Sequence, residues 1–329
     1  MRNSVASVLL LSVMAAVASS AVGQSGEPRP TIFAPGVISG PGNDGTPTFT
    51  PDGKTIYFTR SGATWTVIVE SHREGDRWSE PVIAPFSGEW ADMQPVLSPD
   101  GSYLIFASFR PASGNQPPAK DAARVAALWR VDRKGSGWSE PVRLPDTVNI
   151  SPVVFKPTIA ADGSLYFMED EKGKKFRLFR SQMLNGAYQK AEPLAFSDGT
   201  TGDVDPEIAG DESFLIFSSD GRNPADTSHE QMYVTFKTDG KWGPVTALPY
   251  VAAKVNGGSN DNEAHVSRDG SLIYFASDRT VEVKTPQTRA QTEENLKRLI
   301  WDNGDYNVWT IPAAACLSKA KSVTAAAHS

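Results

Sequence analysis

The hydrophobic positions of this chain fall into short stretches that follow one repeated turn. The motif Pro-x-x-x-x-Asp-Gly, or a close variant of it, occurs at residues 47–53, 95–101, 157–163, 206–212 and 264–270. Each copy is followed by an apolar stretch of β-forming residues, such as Ile56-Tyr57-Phe58. Because Asp and Gly tolerate the positive φ that a tight turn requires, each copy predicts two antiparallel strands joined by a hairpin.

Two further apolar stretches follow most of these hairpins. A third stretch recurs at residues 65–69, 128–131, 176–179, 232–236 and 307–311, and a fourth contains Trp-x-x-Pro-Val at 78–82 and 138–142. Pro in the fourth stretch suits an outer edge strand, where no ladder hydrogen bond is lost. A four-stranded unit repeated roughly every 50 to 60 residues is typical of propeller blades.

The fifth unit lacks a fourth stretch, and residues 31–38 near the other end of the chain resemble the missing strand. Pairing of the two would cover an exposed sheet edge and join both ends of the chain. The sequence therefore predicts an all-β, single-domain β-propeller over residues 29–312, with five four-stranded blades closed by an N-terminal strand.

Both ends of the chain differ from this repeat. Residues 1–23 combine Arg2, an apolar run and a small-residue end, which predicts a secretory signal peptide and a mature protein in the periplasm or outside the cell. The run is too short to span a membrane. Residues 313–329 are rich in small residues and predict a disordered tail, which would contain the single cysteine, Cys316.

Composition and the absence of known motifs narrow the possible classes of function. The chain has 329 residues, 40% of them hydrophobic, and a net charge of −6, which excludes a disordered protein and disfavours nucleic acid as a partner. It contains no Gly-x-Ser-x-Gly, His-Glu-x-x-His or phosphate-loop motif, so an enzymatic function is not expected. We expect a monomer without a cofactor, and a divalent cation at the channel mouth is left open.

The repeat resembles a known family. The segments at residues 98–101, 105–108 and 273–279 are similar to the TolB-like, WD40-like β-propeller repeats of bacterial periplasmic and secreted proteins. The resemblance covers nearly the whole mature chain, and its motif encodes turns and core strands. It implies a binding scaffold of the bacterial envelope, with an envelope protein, a peptide or a glycan as partner.

The topology separates two faces. The Asp-Gly turns between the first and second strands all lie on one face, the turn face, which we expect to be plain. The loops between the second and third strands and between blades lie on the opposite loop face and vary in length, as at residues 110–127, 219–231 and 280–305. The last of these contains a predicted helix within residues 285–300. This helix either forms a lid or packs on the rim of the propeller.

A charge pattern repeats on the loop face. An aspartate three residues before the motif recurs with an arginine just past the second strand, and only the third blade, with Val154 and Glu169-Asp170, lacks both. This joint pattern predicts either structural ion pairs or an acidic ring that binds a cation, a cationic ligand or a sugar. The residues are Asp44, Asp92, Asp203 and Asp261 with Arg60, Arg110, Arg222 and Arg279.

Three further groups are candidates for binding at the channel mouth. Asp261, Glu263 and His265 alternate along one predicted strand, so their side chains are expected to point the same way, and Asp205 lies close by. A single strand with one histidine does not predict a metal site. Trp90 either stacks on a sugar or caps the core. We expect a binding scaffold that uses its loop face, and a glycosidase-like enzyme with channel-mouth carboxylates is the alternative.

Overall fold

The computed structural model describes residues 26–111, 125–170, 175–251 and 259–326, and the predicted signal peptide lies outside this part of the chain. A short strand, β1 (Thr31–Ile32), precedes the first blade. Blade 1 contains β2 (Asn43–Phe49), β3 (Thr55–Ser61), β4 (Thr66–Glu74), β5 (Arg77–Trp78) and β6 (Val82–Ile83). Blade 2 contains β7 (Asp92–Leu97), β8 (Tyr103–Ser108), β9 (Ala127–Lys134), β10 (Gly137–Trp138) and β11 (Val142–Arg143).

The remaining blades follow the same order. Blade 3 contains β12 (Val154–Ile159), β13 (Leu165–Glu169), β14 (Arg177–Ser181), β15 (Met183–Leu184), β16 (Ala187–Tyr188) and β17 (Glu192–Pro193). Blade 4 contains β18 (Gly202–Ile208), β19 (Phe214–Asp220), β20 (Gln231–Thr238), β21 (Lys241–Trp242) and β22 (Thr246–Ala247). Blade 5 contains β23 (Asp261–Val266), β24 (Leu272–Ser277) and β25 (Asn307–Pro312).

The five sheets form a five-bladed β-propeller, which confirms the predicted fold class. β1 pairs antiparallel with β25, with Thr31 opposite Thr310, and supplies the fourth strand of blade 5. The N-terminal strand therefore closes the ring, as the sequence predicted. The second strands carry the centre of the core, because one aromatic side chain from each is fully buried. These residues are Phe58, Phe106, Phe167, Phe217 and Phe275.

Every innermost strand contains a β-bulge directly before the repeated motif. The strand register shifts at this point in β2, β7, β12, β18 and β23. The residue before the motif adopts a positive φ, between 48° and 56°, although none of the five is glycine. A bulge leaves a backbone N–H without a ladder partner, so the proline that follows in four blades causes no loss of a hydrogen bond. The bulge residues are Thr46, Gln94, Lys156, Asp205 and Glu263.

The turns of the repeat are held by their aspartates. In each blade the carboxylate accepts a hydrogen bond from the backbone N–H two residues later. In blade 1, for example, the Lys54 N–H donates to Asp52 Oδ1 at 3.0 Å. These bonds and the neighbouring serine hydroxyls stabilise the charged form and lower the pKa of Asp100 and Asp269 to about 2. The motif is thus a structural turn in all five blades.

Two helices lie outside the blades. Helix α1 (Arg289–Arg298) belongs to the insertion between β24 and β25, and its N-cap is Thr288, whose hydroxyl accepts from the backbone of Gln291. The helix is shorter than predicted, and none of its residues is buried. No helix in the described part of the chain is long and apolar enough to cross a membrane.

The structure differs from the prediction of a disordered tail. Helix α2 (Ala313–Ala326) follows β25 directly. Ala313, Cys316 and Ala320 are fully buried in one apolar cluster with Val251 and Leu248. Their spacing places them on one face of the helix, and their small size lets the helix pack closely against blade 4. The residues are too small to give a strong hydrophobic pattern in the sequence.

The burial of Cys316 leads to a testable expectation. Burial raises the pKa of its thiol to about 12, so the reactive thiolate is scarce near neutral pH. We expect native protein to resist a thiol reagent such as dithionitrobenzoate, and protein unfolded in guanidinium to react rapidly with one equivalent. Rapid reaction of the native protein would show that α2 is not docked in solution.

Candidate functional site

The four predicted pairs of aspartate and arginine are present at the loop-face ends of the blades. Each aspartate is at most 1% exposed, and each arginine also stacks on the buried phenylalanine of its own second strand. Such pairing of charges is favoured where both groups are withdrawn from water. The N···O distances are 2.7 Å for Arg60–Asp44, 2.8 Å for Arg110–Asp92, 2.6 Å for Arg222–Asp203 and 2.5 Å for Arg279–Asp261.

Each arginine of these pairs also holds the loop that enters its blade. Arg222 Nη2 donates to the carbonyl of Phe196 at 2.9 Å, and Arg279 Nη2 donates to that of Val251 at 2.7 Å. Arg60 and Arg110 make the same kind of bond to Val37 and Phe86. The four ion pairs therefore attach each of these entering loops to its blade. Of the two interpretations drawn from the sequence, this geometry favours the structural one, because the aspartates are enclosed and engaged.

Blade 3 has a different arrangement at this level. Val154 occupies the position of the aspartate, and Glu169 lies opposite Arg177 in the register of β13 and β14. Arg177 Nε donates to the carbonyl of Ser197 at 2.7 Å, in the loop that leads to blade 4. An arginine thus fastens an inter-blade loop here as well, although it comes from the third strand.

The bulge residues meet around the axis of the channel. Gln94 is central, because its amide donates to Glu263 Oε1 at 3.1 Å and accepts from the backbone N–H of Lys156 at 2.9 Å. The Lys156 ammonium is buried and donates to the carbonyl of Ala264 at 3.5 Å. Blades 2 and 3 do not neighbour blade 5 in the ring, so the bonds to Glu263 and Ala264 cross the channel. We call Gln94, Lys156 and Glu263 the polar plug.

Gly45 makes room for this plug. A Cβ on Gly45 would lie 2.0 Å from Glu263 Oε2 and 3.3 Å from the Cβ of Ala276. Any side chain at this position would displace the Glu263 carboxylate and with it the bond from Gln94. A close approach of this kind requires glycine.

The loop-face mouth of the channel is acidic. Asp205, Glu230, Glu263 and Asp278, which we call the acidic mouth, lie close enough to influence one another's ionisation. Burial first, and then the charges of Glu263 and Glu230, raise the pKa of Asp205 well above its usual value. Burial also raises the pKa of Glu230, with smaller contributions from the charges of Glu263, Asp220 and Asp278.

The partners of the acidic mouth are amides. Asn262 Nδ2 donates to Glu230 Oε2 at 2.8 Å, and Asn260 Nδ2 donates to Asp278 Oδ2 at 2.8 Å. Among the described residues, no Lys, Arg or His forms an ion pair with any of the four carboxylates. The charge of Lys156 partly offsets that of Asp205, but one lysine against four carboxylates leaves the mouth with an excess of negative charge.

The turn face has a pocket, although the sequence predicted a plain surface there. Its volume is about 460 Å³, and Phe49, Phe214 and Val266 are among its lining residues. Arg268 reaches across it and donates a hydrogen bond to the carbonyl of Pro99, which belongs to the turn of blade 2. Since a turn of blade 5 thereby contacts a turn of blade 2, the pocket lies over the channel on the side opposite the acidic mouth.

A buried carboxylate and a histidine lie in this pocket. Glu207 accepts from Thr158 Oγ1 at 3.0 Å and from the Val266 N–H at 2.9 Å, and its Oε1 lies 3.1 Å from His265 Nδ1. Burial alone would raise the pKa of Glu207, but the interaction with His265 and the nearby Lys156 hold it below its usual value.

The predicted alignment of Asp261, Glu263 and His265 is wrong, because the bulge between Asn262 and His265 breaks the strand alternation. Asp261 bonds Arg279 inside the blade, Glu263 bonds Gln94 in the channel, and His265 contacts Glu207 on the turn-face side. Within residues 26–111, 125–170, 175–251 and 259–326, no group of three or more His, Cys, Asp or Glu is arranged to hold a metal ion.

Sequence reasoning found Asp205 and Glu263 but missed Gln94, Lys156 and Glu230. A sequence signal for Gln94 and Lys156 does exist in the repeat. The residue directly before the motif is polar in all five copies, and its side chain is a hydroxyl, an amide, an amine or, in two copies, a carboxylate. A position with conserved backbone geometry and varied polar side chains marks the channel lining. Trp90 is half-buried at the rim, away from the axis, where it lines a groove between blades 1 and 2.

Comparisons with known proteins show the fold alone. No protein-family model and no curated protein matches the chain. The fold is similar to that of a GH62 hydrolase solved in complex with xylotriose, at 11% identity and a TM-score of 0.51 over 87% of this chain and 96% of that one.

TolB proteins are also among the similar solved structures, in line with the resemblance seen in the repeats. A putative TolB from Agrobacterium tumefaciens is 18% identical over 72% of this chain and 70% of its own, with a TM-score of 0.46. TolB from Acinetobacter baumannii is 13% identical over 82% of this chain, with a TM-score of 0.43, and this chain spans about half of its length, 54%.

Proposed function

We propose that this protein is a binding scaffold whose loop face holds a polypeptide segment that carries a positive charge. The observation that carries this proposal is the acidic mouth, where four carboxylates converge and none of them forms an ion pair among the described residues. A lysine or arginine side chain would form charge-assisted hydrogen bonds with these groups. The plug closes the channel below them, so a ligand inserts a single group and does not thread through the ring.

The rigid frame supports this function. Four buried ion pairs fasten the inter-blade loops, and they keep Asp44, Asp92, Asp203 and Asp261 occupied. These carboxylates are enclosed and bonded to arginine, so they are not free to reach a substrate, although burial raises the pKa of Asp44 to about 6 and that of Asp261 above its usual value. The proposal therefore assigns these aspartates a structural role and describes a protein that binds without catalysis.

The remaining parts of the proposal concern location and cofactors. Residues 1–23 have the pattern of a signal peptide, and we propose export to the periplasm or the medium. Binding is proposed to need no cofactor, so chelation by EDTA would leave the affinity unchanged. Edman sequencing of the exported protein would test the first point, with a mature N-terminus near residue 24 as the expected result.

The binding proposal is tested with a short peptide of alternating Lys and Gly, titrated into the protein by calorimetry. We expect Glu230→Gln and Asp278→Asn each to lower the affinity about tenfold, because each removes one charge-assisted hydrogen bond. Glu293→Gln is the matched control, since it removes the same charge from the exposed face of α1. Equal losses in all three variants would show that only the net charge matters, and the proposal would fail.

The same titration has an expected pH dependence. The pKa values of Asp205 and Glu230 are raised, so these groups take up protons at a higher pH than ordinary carboxylates. Proton uptake removes negative charge, and the affinity for the peptide is therefore expected to fall as the pH is lowered from about 8 to about 5. A pH-independent affinity would contradict recognition by these carboxylates.

A further inference from the structure

A groove on the outer rim between blades 1 and 2 has the chemistry of a sugar site. Its volume is about 360 Å³, and three tryptophans from separate segments line it. Trp90 comes from the loop between β6 and β7, Trp129 from β9 and Trp138 from β10. Glu89 and Glu140 lie at its edge and are exposed. We call this feature the rim groove.

Packing fixes the aromatic surface of the rim groove. The Trp138 indole donates to Tyr57 Oη at 3.3 Å and meets Phe86 edge-on, with ring centroids 5.7 Å apart. The Arg133 guanidinium lies 4.1 Å from the Trp138 ring centroid, so one face of this ring is covered. Trp129 is 7% exposed. The rings are thus held in place before any ligand arrives, which lowers the entropic cost of binding.

Polar groups complete the rim groove. Trp129 Nε1–H is buried and has no acceptor among the described residues. Leaving such a donor unsatisfied costs free energy, which a ligand acceptor would recover. The carboxylates of Glu89 and Glu140 take part in no ion pair within the described chain. The groove therefore combines carboxylate acceptors, an unsatisfied indole donor and the half-buried ring of Trp90, while Arg110 lies 5.4 Å from the centroid of the Trp129 ring.

A comparison within the ring distinguishes blade 2 by its open groove and not by the indole donor, because Trp309 Nε1 of blade 5 is also buried without an acceptor among the described residues. The residues that correspond to Trp129 are Val69, Phe179, Tyr233 and Trp309. In blade 5, Trp301 of the insertion packs edge-on against Trp309, with centroids 6.2 Å apart. The protein's own tryptophan thus lies against the ring there, whereas the described residues leave the corresponding side of blade 2 as a groove.

We propose that the rim groove binds a neutral or amino-sugar glycan. A pyranose ring presents an apolar C–H face that stacks on indole, and hydroxyls that both donate to carboxylates and accept from an indole N–H. The Arg110 guanidinium beside the groove is engaged by Asp92 at 2.8 Å, so Glu89 and Glu140 determine the local charge and oppose an acidic sugar. The rim groove is a separate site from the acidic mouth, and this proposal does not depend on the function proposed for the mouth.

A peptide ligand fits the rim groove less well. Addition of a peptide strand requires a continuous free sheet edge, and the outer strand of blade 2 is split into β10 and β11 around Pro141. A proline-rich peptide could use the tryptophans, but it has no hydroxyl to donate to the two carboxylates. A polyol satisfies every group that the groove presents.

The test uses four probes on the intact protein, followed by calorimetry and tryptophan fluorescence. The probes are hexa-N-acetylchitohexaose, cellohexaose, hexagalacturonate and a proline-rich peptide. We expect at least one of the two neutral hexasaccharides to bind and to change the fluorescence, with weaker binding of hexagalacturonate and of the peptide. Tightest binding of the peptide or of hexagalacturonate, or no binding of either neutral sugar, would overturn the proposal.

Variants assign the binding to the rim groove. Trp90→Ala is expected to lower the sugar affinity about tenfold, as for an aromatic anchor at an interface. Trp129→Phe keeps a smaller aromatic ring and removes the indole N–H, and Glu140→Gln changes only an exposed group, so both test the polar contacts. Trp65→Ala is the control, because Trp65 is 51% exposed and lies outside the groove.

The outcomes separate this site from the acidic mouth. We expect Trp65→Ala and Glu230→Gln to leave the sugar affinity unchanged, and Trp90→Ala to leave the affinity for the lysine peptide unchanged. An equal loss of sugar affinity in Trp65→Ala, or full affinity in Trp90→Ala, Trp129→Phe and Glu140→Gln together, would show that the groove is not the site.

Discussion

Replacing Arg222 by alanine is expected to lower the free energy of unfolding by about 3–5 kcal/mol, because it leaves a buried charge without its partner. Asp203 is 0% exposed and receives hydrogen bonds from Arg222 Nε at 2.7 Å and Nη2 at 2.6 Å. The substitution also frees the carbonyl of Phe196. Urea unfolding monitored by circular dichroism would measure the change.

The matched control for this experiment is Arg289→Ala. Arg289 also pairs with a carboxylate at 2.9 Å, but its side chain is 92% exposed on α1, so the loss should stay below about 1 kcal/mol. The double variant Asp203→Asn with Arg222→Ala is expected to recover part of the stability, since no charge is then buried. If Arg222→Ala lowered the free energy of unfolding no more than the control, the four ion pairs would not be important for the stability of the blades.

Deleting residues 26–34 is expected to unfold or aggregate most of the protein. The deletion removes β1 and exposes the edge of β25, which is a template for pairing with other chains. It also removes Phe33, whose ring contacts Phe49, Trp78 and Tyr274. Loss of a packed Phe side chain alone costs about 3–5 kcal/mol, a large part of a domain's stability of about 5–15 kcal/mol.

Thermal unfolding and size-exclusion chromatography would follow the deletion, with Phe33→Ala as the variant that keeps the strand. A synthetic peptide of residues 26–39 is expected to restore part of the stability by pairing with β25. An unchanged melting temperature in the deleted protein would mean that ring closure contributes little.

Much of the architecture follows from local patterns in the sequence. The five turns need Asp and Gly at one spacing, and the second strands repeat an aromatic core position at Phe58 and its four counterparts. The joint presence of Asp44 with Arg60, and of the three similar pairs, was visible by aligning the repeats. These features lie within one blade or between neighbours in sequence, so one chain is enough to reveal them.

The candidate site depended on contacts that local patterns do not contain. The positive φ at Glu263 reverses the strand alternation, so Asp261, Glu263 and His265 point to three different places. The bond from Gln94 to Glu263 joins residues 169 positions apart and exists only because the ring brings blades 2 and 5 to one axis. No periodicity in the sequence encodes either fact.

The sequence by itself thus determined the strands, the turns, the number of blades and the matched aspartate and arginine positions, because each is a repeated and local choice of residue. The closing strand followed from the missing fourth stretch of the last unit, and the structure decided that the matched charges form ion pairs. The tertiary structure alone decided where the polar side chains meet, that the turn face has a pocket beside His265 and Glu207, and that α2 packs its small residues around Cys316. These depend on distances between blades that are far apart in the chain, and such distances are set by the closed ring as a whole.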